Sequence, residues 1–269
     1  MLYNAKEDTL TTDNMQLDYI TFGNGDKPLV LIQGLNTRGI KGASVSLTYM
    51  FRIFTKEYKV YIFDRKENIH EGYTVRDIAK DVAAAMDKLK ISNADVIGVS
   101  QGGMISQYLA IDRPDLVNKL VLCVTLSRNN ETVETVVNNW IEMAEKGDVK
   151  TFVKDMAEKM YSEEYVRRYK LFMPLLTIMQ KPKDVKRFTT LAKACLTCEA
   201  WDELNKISCP VFVLGGKKDK VVTGEASEEI AEKLNCEIYM YENLGHSAYE
   251  EAKDFNSRIY EFLIKERID

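Results

Sequence analysis

The stretch Asp95-Val96-Ile97-Gly98-Val99-Ser100-Gln101-Gly102-Gly103 constrains the fold of this chain more than any other. A short apolar run passes there directly into a helical stretch, Met104 to Ile111, with a glycine two residues to either side of a serine. A G-x-S-x-G pattern in that setting predicts a sharp strand-to-helix turn, in which the serine backbone is strained and the glycines let strand and helix approach. The Ser100 hydroxyl then projects from the carboxyl edge of a sheet.

The flanking pattern agrees. Short β-rich runs at Leu17 to Phe22, Leu29 to Gln33, Val60 to Phe63 and Leu120 to Val124 alternate with helical stretches, which predicts parallel strands joined by crossover helices, an α/β fold. Thr74 is the expected N-cap of one such helix, with Asp77 at its third position and Ile78, Val82, Met86 and Leu89 at helical spacing as far as Lys90. After Val124 the pattern changes. From Asn129 to Asn205 the chain is helical in period and rich in Met, Phe and Tyr, which predicts a helical cap (129–205) inserted into a core made of 1–128 and 206–269. Strand signals resume at Pro210 to Leu214 and Glu237 to Tyr241, with helices expected at Glu225 to Leu234 and Ala248 to Ile264.

Composition excludes several function classes. The 37 Lys and Arg against 41 Asp and Glu leave a formal charge of -4, so no basic face for nucleic acid is expected. Met1 to Gln16 carries no apolar signal region, and no run approaches the ~18 apolar residues of a membrane span. A soluble, cytoplasmic protein is expected, without a membrane partner. The 5 cysteines form an odd set, which argues for reduced thiols. Cys195 and Cys198 have C-x-x-C spacing, but Leu191 to Trp201 reads as one helix rather than the strand-to-helix turn of a redox site. No second pair or nearby histidine completes a zinc site, so no metal is expected.

Two nucleotide-binding patterns also fail. Gly34 and Gly39 are spaced like a P-loop, but Ile40-Lys41-Gly42 follows, which misplaces the lysine and the hydroxyl. The run from Gly98 to Gly103 has serine where the dinucleotide fingerprint needs its second glycine. No cofactor is expected.

A serine hydroxyl needs a base to accept its proton as it attacks a carbonyl. The chain has 2 histidines. His70 lies in a polar loop early in the chain, whereas His246 follows the final strand and so falls at the same sheet edge as Ser100. His246 is the expected base. A carboxylate must hold its tautomer and stabilise its positive form, and Asp219, in the loop after Val211 to Leu214, is the candidate. The stretch Thr125-Leu126-Ser127-Arg128 offers no alternative acid. The developing oxyanion needs backbone N–H donors. Gln101, next to the nucleophile, and Leu35, in the loop after Leu29 to Gln33, are the expected pair.

With these residues in the order Ser100, Asp219, His246, the chain resembles the α/β-hydrolase superfamily, in its branch of small esterases, lactonases, carbon–carbon hydrolases and cofactor-free haloperoxidases. Asp64-Arg65 is similar to the family's Asp-Arg turn, and Leu204 to Val211 to its re-entry into the sheet after the cap. Gln33 stands where family members carry histidine, a change that leaves the backbone of Leu35 in place. The resemblance implies a mostly parallel eight-stranded sheet flanked by helices, with a helical lid over the nucleophile.

The function expected from this reading is a serine hydrolase that cleaves a small ester-like substrate through an acyl-enzyme. A carbon–carbon bond hydrolase or perhydrolase is the alternative within the fold, and a non-catalytic small-molecule sensor the alternative outside enzymes. Trp140, Met143, Phe172 and Met173 are the candidate lining of a substrate pocket, and either a monomer or a homodimer is compatible with the Met-rich and aromatic-rich cap.

Overall fold

The computed structural model describes residues 2–265, apart from the side chains of Leu2, Met173, Pro174, Leu176 and Met179. The strands are β1 (Lys6–Thr12), β2 (Met15–Phe22), β3 (Lys27–Ile32), β4 (Tyr58–Phe63), β5 (Ala94–Val99), β6 (Val117–Cys123), β7 (Val211–Gly216) and β8 (Glu237–Tyr241). They form one 8-stranded sheet in the order β1-β2-β4-β3-β5-β6-β7-β8. Pairing is antiparallel for β1 with β2 and β2 with β4, and parallel from β4 across to β8.

The helices are α1 (Ser44–Met50), α2 (Val75–Lys88), α3 (Gln101–Asp112), α4 (Glu131–Glu145), α5 (Val149–Met160), α6 (Glu163–Tyr169), α7 (Met173–Gln180), α8 (Val185–Cys195), α9 (Gly224–Leu234), α10 (Ala248–Glu251) and α11 (Phe255–Ile264). Central strands are apolar on both faces because helices cover both. Val30, Ile32, Val96, Leu120 and Leu122 join the core beneath α2 and α3, while Leu29, Leu31, Ile97, Val99 and Val121 join the one beneath α1 and α11. The start of α2 is the expected capping box: Thr74 Oγ1 accepts from Asp77 N at 3.1 Å and Asp77 Oδ2 accepts from Thr74 N at 3.2 Å.

Two expectations are corrected, and one strand is added to those read from the sequence. Strand β1 carries no strand signal, because Lys6-Glu7-Asp8-Thr9-Leu10-Thr11-Thr12 is an edge strand paired only with β2 and buries only Leu10. The helix expected at Leu191 to Trp201 stops at Cys195, and a separate 3-10 turn begins at Trp201. The last helix is broken between α10 and α11, where Ala252 turns extended (φ -81, ψ 118).

Helices α4 to α8 all lie in the segment between β6 and β7. Each of α4, α5, α6 and α8 begins at an N-cap side chain, respectively Asn130, Asp148, Ser162 and Asp184, which is why one long helical period resolves into short helices. The buried face of α4, including Val136, Val137 and Trp140, packs with Phe188 and Leu191 of α8. A bridge between Arg128 and Glu199 joins the two ends of the segment. Among the described residues no helix is long and apolar enough to cross a membrane.

Candidate active site

Ser100 stands between β5 and α3 with φ 54 and ψ -120, a conformation that costs any residue with a Cβ. It is held there by its own backbone: Ser100 N donates to Cys123 O at 2.9 Å, and its carbonyl accepts from Gly103 N at 2.8 Å and Thr125 Oγ1 at 2.8 Å. The turn is possible only because side chains are missing around it. A Cβ on Gly102 would sit 2.7 Å from Gln33 O, and one on Gly98 would sit 2.7 Å from Gly103 Cα.

Ser100 Oγ lies 2.9 Å from His246 Nε2, and His246 Nδ1 lies 2.8 Å from Asp219 Oδ2. His246 is 3% exposed and Asp219 8%, so the bond between them is shielded from water, while Ser100 is half-buried. Asp219 Oδ1 accepts from Val221 N at 2.7 Å and Val222 N at 3.0 Å, which leaves Oδ2 for the histidine. The two loops are bound together as well. Lys217 N donates to Tyr241 O at 3.0 Å and Lys218 N to Leu244 O at 3.0 Å, and a Cβ on Gly216 would sit 2.6 Å from Leu244 O. A hydroxyl, an imidazole and a carboxylate linked in this way can move a proton from oxygen to nitrogen while the carboxylate offsets the charge formed.

Gln101 opens α3, where the first N–H groups have no intrahelical partner. The loop after β3 runs beside it: a Cβ on Gly34 would lie 3.3 Å from Ser100 Cβ. Leu35 follows directly in that loop.

A family model described as the alpha/beta hydrolase fold matches residues 27–253. The chain belongs to the α/β-hydrolase family. The chain is 21% identical over 259 residues to 3-oxoadipate enol-lactonase 2 of Acinetobacter baylyi, covering 94% of this chain and 95% of that protein. It is 23% identical over 256 residues to a 2-hydroxy-6-oxononadienedioate/2-hydroxy-6-oxononatrienedioate hydrolase of Pseudomonas, covering 90% of each. The crystal structure of the enol-lactonase from Burkholderia xenovorans superposes with a TM-score of 0.83 at 20% identity, over 96% of this chain and 100% of that one.

One other histidine falls elsewhere in this α/β-hydrolase. His70 is exposed, with Nδ1 2.9 Å from Glu71 O, and takes no part in the bonded chain. Trp140 is buried between α4 and its neighbouring helices and donates from Nε1 to Asp155 Oδ2 at 2.7 Å. Met143 is half-buried against the same core, and Phe172 is 55% exposed with its ring 6.3 Å from that of Tyr169. Met173 opens α7, and its side chain lies outside the described residues. Among the described residues no disulfide is formed, and burial pushes the Cys195 thiol up to about 12.

Sequence reasoning missed the buried polar group beside Ser100. Arg65, 3% exposed, donates from Nη2 to Gln33 O at 2.5 Å and to Gln101 Oε1 at 3.0 Å. Burial lowers the basicity of its guanidinium, opposed by the neighbouring charge of Asp64. The one available signal was the Asp64-Arg65 turn itself, whose side-chain targets lie about 30 residues away on either side.

Proposed function

We propose that the chain is a serine hydrolase acting on a small carboxylic ester or lactone through an acyl-enzyme. The reading rests on one observation: His246 lies within hydrogen-bond distance of Ser100 Oγ through one ring nitrogen and of Asp219 through the other. Ser100 Oγ attacks the substrate carbonyl and passes its proton to His246 Nε2. Asp219 accepts from Nδ1–H, which fixes the tautomer and stabilises the imidazolium. The N–H groups of Leu35 and Gln101 receive the oxyanion. His246 then protonates the departing alkoxide, and a water activated by the same nitrogen cleaves the acyl-enzyme. In a lactone the departing alcohol stays attached to the acyl chain, so one product leaves after both steps.

In this reading helices α4 to α8 form a cap (129–205) on the core of 1–128 and 206–269. The substrate pocket lies between cap and nucleophile, with Trp140, Met143, Phe172 and Met173 as its candidate lining. The curated enol-lactonase relative supports lactone cleavage. The Pseudomonas relative supports a second reading, carbon–carbon bond hydrolysis on the same residues.

The test pairs a fluorophosphonate probe with a panel of aryl esters, lactones and carbon–carbon substrates. Wild type is expected to gain one adduct at Ser100 and lose turnover, and Ser100→Ala to take none. Turnover of esters or lactones selects the first reading and carbon–carbon bond cleavage the second. Labelling that persists in Ser100→Ala rejects the nucleophile assignment, and tight binding of a small molecule without turnover supports a sensor instead.

A further inference from the structure

We propose that the side chains of Gln101 and Arg65 form a buried relay that sets the position of the oxyanion loop according to the position of helix α8, making both positioning residues. The proposal rests on the reading of Ser100 as nucleophile and of Leu35 N–H as an oxyanion donor.

One end of the relay is the loop. Arg65 Nη2 reaches Gln33 O at 2.5 Å and, more weakly, Gly34 O at 3.5 Å. A peptide group is planar and trans, so a donor that holds a carbonyl turns the N–H of the same peptide to the opposite side. The peptides concerned end in Gly34 N–H and Leu35 N–H. Arg65 therefore holds chiefly the peptide that ends in Gly34 N–H, one before the donor assigned to the oxyanion, and touches the donor's own peptide through the longer contact to Gly34 O.

The other end is α8. Gln101 Oε1 accepts from Arg65, while its Nε2 donates to Leu191 O at 2.6 Å and to Cys195 Sγ at 3.1 Å. From the same helix, Arg187 Nη2 donates to Arg65 O at 2.7 Å and Nη1 to Glu67 O at 3.0 Å. Just before α8, Lys183 N donates to Thr37 O at 3.2 Å in the oxyanion loop. The last helix of the insertion thus meets this loop directly and through Arg65. Gln101 is 1% exposed, and Arg65 Nε is buried without a partner among the described residues. With no water to replace a lost bond, each member depends on the next. Movement of α8 on substrate entry would pass to the donor through these bonds.

The test uses Gln101→Met, which keeps the backbone N–H and the side-chain length but removes both polar arms, Arg65→Lys, and the double variant. Each is measured for kcat, KM, the rate of fluorophosphonate labelling and amide hydrogen exchange. Gln101→Met is expected to lower kcat and labelling rate together by about tenfold to a hundredfold with little change in KM, the scale of a misplaced donor. Exchange is expected to rise in residues 33–37 and not in the central strands. The double variant is expected to be no slower than the slower single one, as for two links of one chain.

Wild type labelled at Ser100 with Gln101→Met labelled equally fast overturns the relay alone. Wild type that takes no adduct at Ser100 overturns the nucleophile reading and the relay with it. Exchange that rises uniformly, or losses that multiply in the double variant, also overturns the relay. Should Gln101→Met fail to fold, Arg65→Lys is judged by the same kcat, labelling and exchange criteria.

Discussion

Ser247, the residue after His246, donates its N–H to Met160 O at 2.8 Å, so the end of α5 is bonded to the loop that carries the imidazole. The next residues extend the contact: Glu251 accepts from Ser162 N at 2.9 Å and from Ser162 Oγ, and Tyr161 OH donates to Glu250 at 2.7 Å. Together with the bonds of Arg187 to Arg65 and of Lys183 to Thr37, the segment of α4 to α8 is bonded to both sides of the Ser100 site.

Glu251→Ala removes the acceptor for the N-cap of α6. The expected result is faster tryptic cleavage at Arg167, Arg168 and Lys170, by several-fold, with global stability changed by about 1 kcal/mol or less because the bond lies at the surface of the core. Limited proteolysis followed by mass spectrometry reads the sites. An unchanged cleavage rate would show that α6 is held by other contacts.

Ser100→Gly trades the proposed nucleophile for backbone relief. With φ 54 and ψ -120 the serine occupies a region that glycine enters without steric cost. The strain removed exceeds the extra chain entropy of glycine, so urea denaturation is expected to show a gain of about 1 kcal/mol while labelling by the phosphonate disappears. Loss of stability in this variant would mean that the hydroxyl contributes more through His246 than the turn costs.

Why these residues were legible in the sequence, and others not, follows from the distance over which each signal acts. The turn at Ser100 is written in adjacent letters, because the glycines that permit it are its neighbours. Asp219 and His246 are legible because each follows directly on a strand of the same parallel sheet, and parallel strands bring their carboxyl ends to one edge. The short break at Ala252 and the early stop of α8 leave the helical period intact and so go unseen. The grip of Arg65 on Gln33 O depends on how β4 lies beside β3, a matter of tertiary packing that no local pattern encodes.

Asp95 predicts a pH effect on stability. Burial raises its carboxyl above the ordinary carboxylate range, opposed by hydrogen bonds from Asn118 at 2.7 Å and Tyr58 at 2.9 Å. A carboxyl that holds its proton more tightly folded than unfolded contributes most stability below its unfolded value, and that contribution is lost as pH rises through the folded value. In thermal melts from about pH 3.5 to 7, wild type is expected to lose ground to Asp95→Asn as pH rises through this interval. A Tm difference that stays constant, or that moves in favour of wild type, would contradict the assignment of burial as the dominant cause.

Asp219→Asn separates charge from geometry at the acid end of the site. The amide keeps an oxygen for Val221 N and Val222 N, so the loop fold is expected to survive. The group facing His246 Nδ1 then becomes an N–H donor, which favours the tautomer protonated on Nε2 and removes that nitrogen as an acceptor for the Ser100 proton. On the proposed mechanism kcat for a turned-over ester is expected to fall by about 10³ to 10⁴, with KM changed far less, since the substrate does not touch Asp219. Raising the pH is expected to recover part of the loss, because solvent hydroxide can take the serine proton that His246 no longer accepts. A kcat within about threefold of wild type across the pH range would remove Asp219 from the proton path and return the search to another carboxylate near His246.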